Sequence, residues 1–172
     1  MDQQLKTIVS AILTRKEDGV MKIFLQTRWK PKSSPTYSGM IEIPAGAIEE
    51  YENVYDALKR EIKEECNLDI VKIVNDYQGP ILQPRAKDRA FVFKPFICQQ
   101  VLETDNGLSW VGFVFVCEVT GEAKSNPDEA KDPRWVSIRE LKEIIEKNSD
   151  TIFPLQLPVL KYFVEQISKI RR

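Results

Sequence analysis

LKREIKEECNLDI, residues 58–70, sets Glu61, Glu64 and Glu65 within five positions of one another. Residues 53–66 read as a helix, with Asn53 available as its N-cap. On a helix, positions three and four apart share a face. Val54, Ala57 and Leu58 form an apolar stripe, and the same steps carry it to Glu61, then to Glu64 and Glu65. Lys59, Lys63 and Asp56 take the opposite face. A run of charges is ordinarily a solvated face, but here the lysines already hold that side. Half-buried like charges are costly unless a cation compensates them. Arg60 can reach Glu64 one turn on, yet one guanidinium does not balance three carboxylates. Clustered carboxylates without imidazole or thiolate suit a hard cation, Mg²⁺ or Mn²⁺. Just upstream, Gly46 in IPAGAIEE permits close backbone approaches, and its carbonyl could complete a metal shell. An ordinary turn is the other reading of that glycine.

Composition narrows the chemistry further. The chain has 172 residues and no His, which removes Ser-His and Cys-His nucleophiles and His-ligated metals. Cys66, Cys98 and Cys117 are far apart and form no CxxC, so neither a zinc site nor a disulfide framework is signalled. The net charge of −1 gives no bulk attraction to a nucleic acid polymer or an anionic membrane. The N-terminal apolar run is too short and too interrupted for a leader or a membrane span. A cytoplasmic protein is the default expectation, organised as one domain over residues 1–172.

Along the chain, LKTIVSAILT and MKIFLQTRW read as strands of a hairpin, joined around Asp18-Gly19 by a slightly long loop. KPKSSPTYSG is a loop. MIEIPAGAI is a short strand stopped by Pro44 and Gly46. After the acidic helix, LDIVKIVNDY is expected as one strand, ending near Gly79-Pro80. AFVFKPFICQQVL and LSWVGFVFVCEV are expected as two long strands around the turn ETDNG, with Trp110, Phe113 and Phe115 in the sheet core. DEAKDPRWVSI reads as a loop entering a short strand. RELKEIIEKN and LPVLKYFVEQISKIRR read as helices, with Pro158 tolerable in the first turn of the latter. Hairpins mixed with irregular helix and strand alternation predict an α/β fold, a mixed sheet with helices on its faces.

The spacing of these residues resembles the box of the Nudix hydrolases, G-x5-E-x7-R-E-U-x-E-E-x-G-U with U apolar. Here it runs GAIEEYENVYDALKREIKEECNL, residues 46–68. Gly46, Glu52, Arg60, Glu61, Ile62, Glu64, Glu65 and Leu68 match their positions, and Asn67 replaces the last glycine. Asn is the next residue after Gly to adopt a left-handed C-cap, so the loop geometry is expected to survive. FLQTRW before the box and RWVSIRELKE after it also sit where such proteins have comparable elements.

The resemblance implies an α/β/α sandwich and Mg²⁺- or Mn²⁺-dependent hydrolysis of a nucleoside diphosphate linked to another group. It implies Glu61, Glu64 and Glu65 as metal ligands, with the Gly46 carbonyl as an addition. Arg60 is expected to orient a glutamate, and Glu52 to support the loop and helix. Glu129, before the WVS strand, is the positional candidate for general base. A solvated loop acid is its other reading, and Glu64 or Glu65 the other candidate base. Arg28, Trp29, Arg85 and Arg89 are candidates for substrate contact, against packing or scattered surface charge. Pro84, 16 positions past Leu68, and EIPAG before the box resemble the ADP-ribose pyrophosphatase group. A nucleotide sugar such as ADP-ribose is therefore the expected substrate. A nucleoside triphosphate, normal or oxidised, and a non-catalytic nucleotide-binding module are the alternatives. A homodimer is an open expectation from the same group.

Overall fold

The computed structural model describes residues 5–105 and 109–170, excluding the side chain of residue 170. In chain order its strands are β1 (Lys6–Glu17), β2 (Val20–Arg28), β3 (Ile41–Glu42) and β4 (Ala45–Ala47). After helix α1 (Val54–Cys66) come β5 (Asp69–Ile73), β6 (Tyr77–Gln78), β7 (Leu82–Arg85) and β8 (Asp88–Ala90). The series continues with β9 (Phe93–Lys94), β10 (Ile97–Val101), β11 (Trp110–Thr120) and β12 (Ala130–Ser137). Helices α2 (Ile138–Lys147) and α3 (Leu157–Ile170) close it.

The main sheet runs β10-β11-β1-β2-β12, with β3 on β2, β4 on β1 and β5 on β11. β1 and β11 are parallel, from Lys6 opposite Trp110 to Thr14 opposite Glu118, and the other pairs are antiparallel. The sheet is thus mixed, as the irregular alternation predicts. Side chains alternate across it, so its two faces build two cores. Val9, Ala11, Leu13, Phe24 and Phe115 pack under Val54, Tyr55, Leu58 and Ile62 of α1. Ile12, Ile23, Leu25, Val114 and Val116 pack under Leu141 of α2 and Leu160 and Phe163 of α3. The result is an α/β/α sandwich.

Local chemistry explains the boundaries. Asp18 and Gly19, at φ 48° and 76°, make a two-residue turn with Glu17 opposite Val20, tighter than the loop expected. Asn53 Oδ1 accepts from Tyr55 N at 2.9 Å and starts α1 where the sequence places it. Asn67 ends it in the left-handed region, at φ 55° and ψ 26°. Ser137 and Glu140 form a capping box that starts α2.

Four expectations are corrected. Gly46 does not stop a strand; it lies inside β4, opposite Val9. Residues 68–77 are not one strand: β5 ends at Ile73, Asn75 turns at φ 54°, and β6 pairs with β9 in a separate ribbon. The run 90–102 is broken between β9 and β10 at Pro95, which has no N–H to give a ladder. Residues 130–137 are all strand, with a bulge between Lys131 and Arg134 that accommodates Pro133. The segment carrying Arg85 and Arg89 is the β7–β8 hairpin. The expected turn at 103–107 falls partly outside the described residues. Among the described residues, no helix is long and apolar enough to cross a membrane.

Candidate active site

The inward face of α1 carries Glu65 as well as its apolar stripe. Glu65 is 3% exposed, in the row with Leu58 and Ile62. Glu61 lies one step off that row and is half-buried. Glu64 lies a further step round, and its side chain is 58% exposed. The three carboxylates therefore descend from core to solvent instead of sharing the inward face, as the 100° rotation per residue requires.

Arg60 organises the outer two. Its Nε and Nη2 donate to Glu52 Oε1 and Oε2, both at 2.8 Å, in a bidentate pair. Nη1 donates to Glu61 Oε1 at 2.7 Å and reaches Glu64 Oε2 at 3.4 Å, and Nη2 also meets Ala47 O at 3.0 Å. Glu52 Oε2 accepts Glu49 N at 2.9 Å, which ties the box loop to the helix. The Arg60 bonds hold the Glu52 carboxyl down at about 2 and raise the guanidinium above its ordinary value. Because the folded value of Glu52 is depressed, its contribution to stability is present above about pH 4.5 and is lost as the pH falls toward 2. Glu52→Gln is accordingly expected to lower the thermal midpoint at pH 7 by about 2–4 °C. That difference should shrink between pH 4.5 and 2 in a calorimetric series; a constant difference would detach the effect from the ion pair.

Gly46 is required by Glu61. A Cβ at position 46 would stand 1.9 Å from Glu61 Cδ. The glycine thus lets a half-buried carboxylate lie against β4. Gly46→Ala is expected to displace that flexible side chain and leave the strand in place. The thermal midpoint should change little, while turnover falls on the order of tenfold to a hundredfold. Normal turnover with a shifted midpoint would mean that the contact serves only packing.

Three residues that the sequence reading did not single out complete the site. Glu42, on β3, is 4% exposed and accepts from Arg28 Nη1 at 3.0 Å. Gln26 donates to Glu42 Oε1 at 3.4 Å and to Glu65 Oε2 at 3.2 Å. Lys30 Nζ stands 2.6 Å from Glu129 Oε2. The signal for Gln26 was parity with Phe24 on one strand, which points both at α1. The signal for Glu42 was an acid between two isoleucines in a short strand. Burial raises the Glu65 carboxyl well above its ordinary range, and the Glu42 charge adds to the effect. Burial also raises Glu42, against the pull of Arg28, and Glu61, against Arg60.

The remaining expected residues separate. Glu129 immediately precedes β12 and is near enough for its charge to act on both Glu61 and Glu65. Arg28, a candidate for phosphate with packing as the other reading, is turned inward to Glu42 and over the Phe153 ring at 4.9 Å. Trp29 is half-exposed beneath Lys131 Nζ, 3.3 Å from its ring centroid. It lines a cavity of about 200 Å³ with Lys30, Lys32 and Asp128. The Arg85 side chain makes no hydrogen bond or ion pair among the described residues, and its strand is exposed throughout. Arg89 lines a hollow with Tyr51, Lys87 and Glu52, the partner of Arg60. Cys66 is a buried hydrophobe, its thiol pushed up by desolvation.

Among the described residues, no three carboxylates or thiols stand together as a ready metal cage. Arg60 explains this, since it already engages Glu61 and Glu64. The donor set still fits a hard divalent cation. Among the described residues, Glu42, Glu52, Glu61, Glu64, Glu65 and Glu129 face only Arg28, Lys30 and Arg60, and Glu65 has no ion pair. A buried carboxylate without a cation lacks compensation that a metal would supply.

The family model for the NUDIX domain matches residues 4–156. The fold is similar to a MutT protein from Methanosarcina mazei, with a TM-score of 0.63 at 19% identity over 96% of this chain and 97% of that one. It is also similar to the NUDIX domain of Shewanella oneidensis NrtR, solved with ADP ribose, with a TM-score of 0.63 at 15% identity over 97% and 90%. A NUDIX-family hydrolase from Clostridium perfringens aligns with a TM-score of 0.60 at 20% identity, over 94% and 97%. A comparison with curated protein sequences gave no match. The chain belongs to the Nudix family and is a Nudix hydrolase, of the class that uses divalent metals to cleave pyrophosphate bonds in nucleoside diphosphate derivatives.

Proposed function

We propose that this enzyme hydrolyses the pyrophosphate bond of a nucleotide sugar of the ADP-ribose kind, with Mg²⁺ or Mn²⁺ bound through Glu61, Glu64 and Glu65. The observation that carries the metal assignment is Glu65, a buried carboxylate with an amide as its one hydrogen-bonding partner among the described residues. When bound, the cation neutralises diphosphate charge and polarises the attacking water. The chain's own residues then supply position and proton transfer. Glu129 is the candidate to take a proton from that water at its carboxylate. Lys30, paired with Glu129, orients that acid and sets a cation beside the path of a phosphate. Arg60 aims Glu61, and Trp29 with Lys32 offers a ring and a charge for the rest of the nucleotide.

The substrate assignment rests on Pro84 and EIPAG, and on a fold shared with a domain that binds ADP ribose. Hydrolysis of a panel of ADP-ribose, other sugar nucleotides and nucleoside triphosphates, with and without each metal, tests it. Metal-dependent cleavage of ADP-ribose above the rest is expected. Preference for a triphosphate would replace the substrate. No turnover by folded, metal-loaded protein would replace the enzyme reading with a nucleotide-binding one.

A further inference from the structure

Gln26 is fully buried in the middle of a strand, at a position whose parity with Phe24 assigns it to the core under α1. A polar side chain there is costly unless every group is satisfied. It is satisfied completely. Nε2 donates to Glu42 Oε1 at 3.4 Å and Glu65 Oε2 at 3.2 Å. Oε1 accepts from Ser125 Oγ at 3.3 Å and faces Cys66 Sγ at 3.9 Å. Two donors and two lone pairs are the whole capacity of a carboxamide. The surroundings also fix its sense, because the reversed amide would turn its oxygen onto two carboxylates.

The partner Ser125 belongs to the segment that ends in Glu129. Lys124 N donates to Cys66 O at 2.9 Å and Asn126 N to Glu65 O at 3.0 Å, so this segment satisfies last-turn carbonyls of α1. Glu129 N then donates to Asn126 O at 3.0 Å. One amide therefore stands between the buried carboxylate of the helix and the segment that delivers the loop acid.

We propose that Gln26 is a positioning residue of the active site. Its carboxamide holds Oε2 of Glu65, leaves Oε1 free to ligate, and through Ser125 keeps the Glu129 segment in register with α1. This rests on Glu65 being a metal ligand, as proposed above. Residues that hydrogen-bond a metal ligand set its orientation, and their loss weakens metal binding about 10- to 100-fold.

The test is Mn²⁺ affinity, measured by titration with electron paramagnetic resonance on wild type, Gln26→Met, Ser125→Ala and Glu65→Gln, alongside thermal midpoints. Methionine keeps the length and bulk and removes every hydrogen bond. Folded Gln26→Met is expected to bind Mn²⁺ at least about tenfold more weakly and to regain turnover at high Mn²⁺. A purely structural defect would not respond to added metal. Ser125→Ala, at a partly exposed position, is expected to weaken Mn²⁺ about threefold, and it decides the matter if Gln26→Met does not fold. Wild-type affinity in folded Gln26→Met, or in Ser125→Ala should the former not fold, overturns the proposal. Wild-type affinity in Glu65→Gln overturns instead the metal reading on which it rests.

Discussion

Glu65→Gln is expected to lower kcat about 10³-fold, equivalent to about 4 kcal/mol of transition-state stabilisation, while the protein stays folded. The substitution removes one ligand charge at nearly constant volume. Glu65 is the most buried of the box glutamates, and among the described residues no cation forms an ion pair with it. Its charge therefore sits in a low-dielectric site where Lys30 compensates it only from a distance and a bound metal would compensate it directly. The same reasoning gives a second readout. Without metal, the neutral amide removes a buried charge beside Glu42, so the variant should be at least as stable as wild type in chelator at pH 8. The sign follows from the raised carboxyl: above the ordinary carboxylate range, burying Glu65 costs folding free energy, and Gln carries no such cost. Excess metal should reverse the order, stabilising wild type more than the variant. Near-normal turnover in a folded variant would remove the metal assignment from α1.

Glu129→Gln is expected to depress kcat by about 10²- to 10⁴-fold, the usual range for a positioned general base, with Mn²⁺ affinity within about twofold of wild type. The split between turnover and metal affinity distinguishes a base from a ligand. Lys30 adds a check, since its ammonium is the partner of Glu129 at 2.6 Å. Wild-type rates in Glu129→Gln would return the proton-transfer role to Glu64 or Glu65. A large loss of Mn²⁺ affinity would instead make Glu129 a ligand.

Much of α1 was legible because a helix is a local object. Its period places Glu65 beneath Leu58, and Asn53 and Asn67 cap it through neighbouring atoms. The box spacing also named Arg60 and Glu52, whose bidentate pair spans only eight residues. The sheet was read less well where long-range pairing overrides local preference. Residues 90–102 look like one strand, yet Pro95 divides them between a ribbon with β6 and the main sheet beside β11.

The sequence by itself determined the acidic helix, its caps, the glycine beside it and, through their spacing, the family. Only the tertiary structure decided which carboxylates are buried, that Arg28 faces Glu42, and that Gln26, Glu42 and Lys30 belong to the site. The physical reason is separation along the chain. Gln26 and Glu65 are 39 residues apart, and Lys30 and Glu129 are 99 apart. No local period links such pairs. Their contact exists because β2 lies under α1 and beside β12, an arrangement set by burial of both faces of the sheet at once.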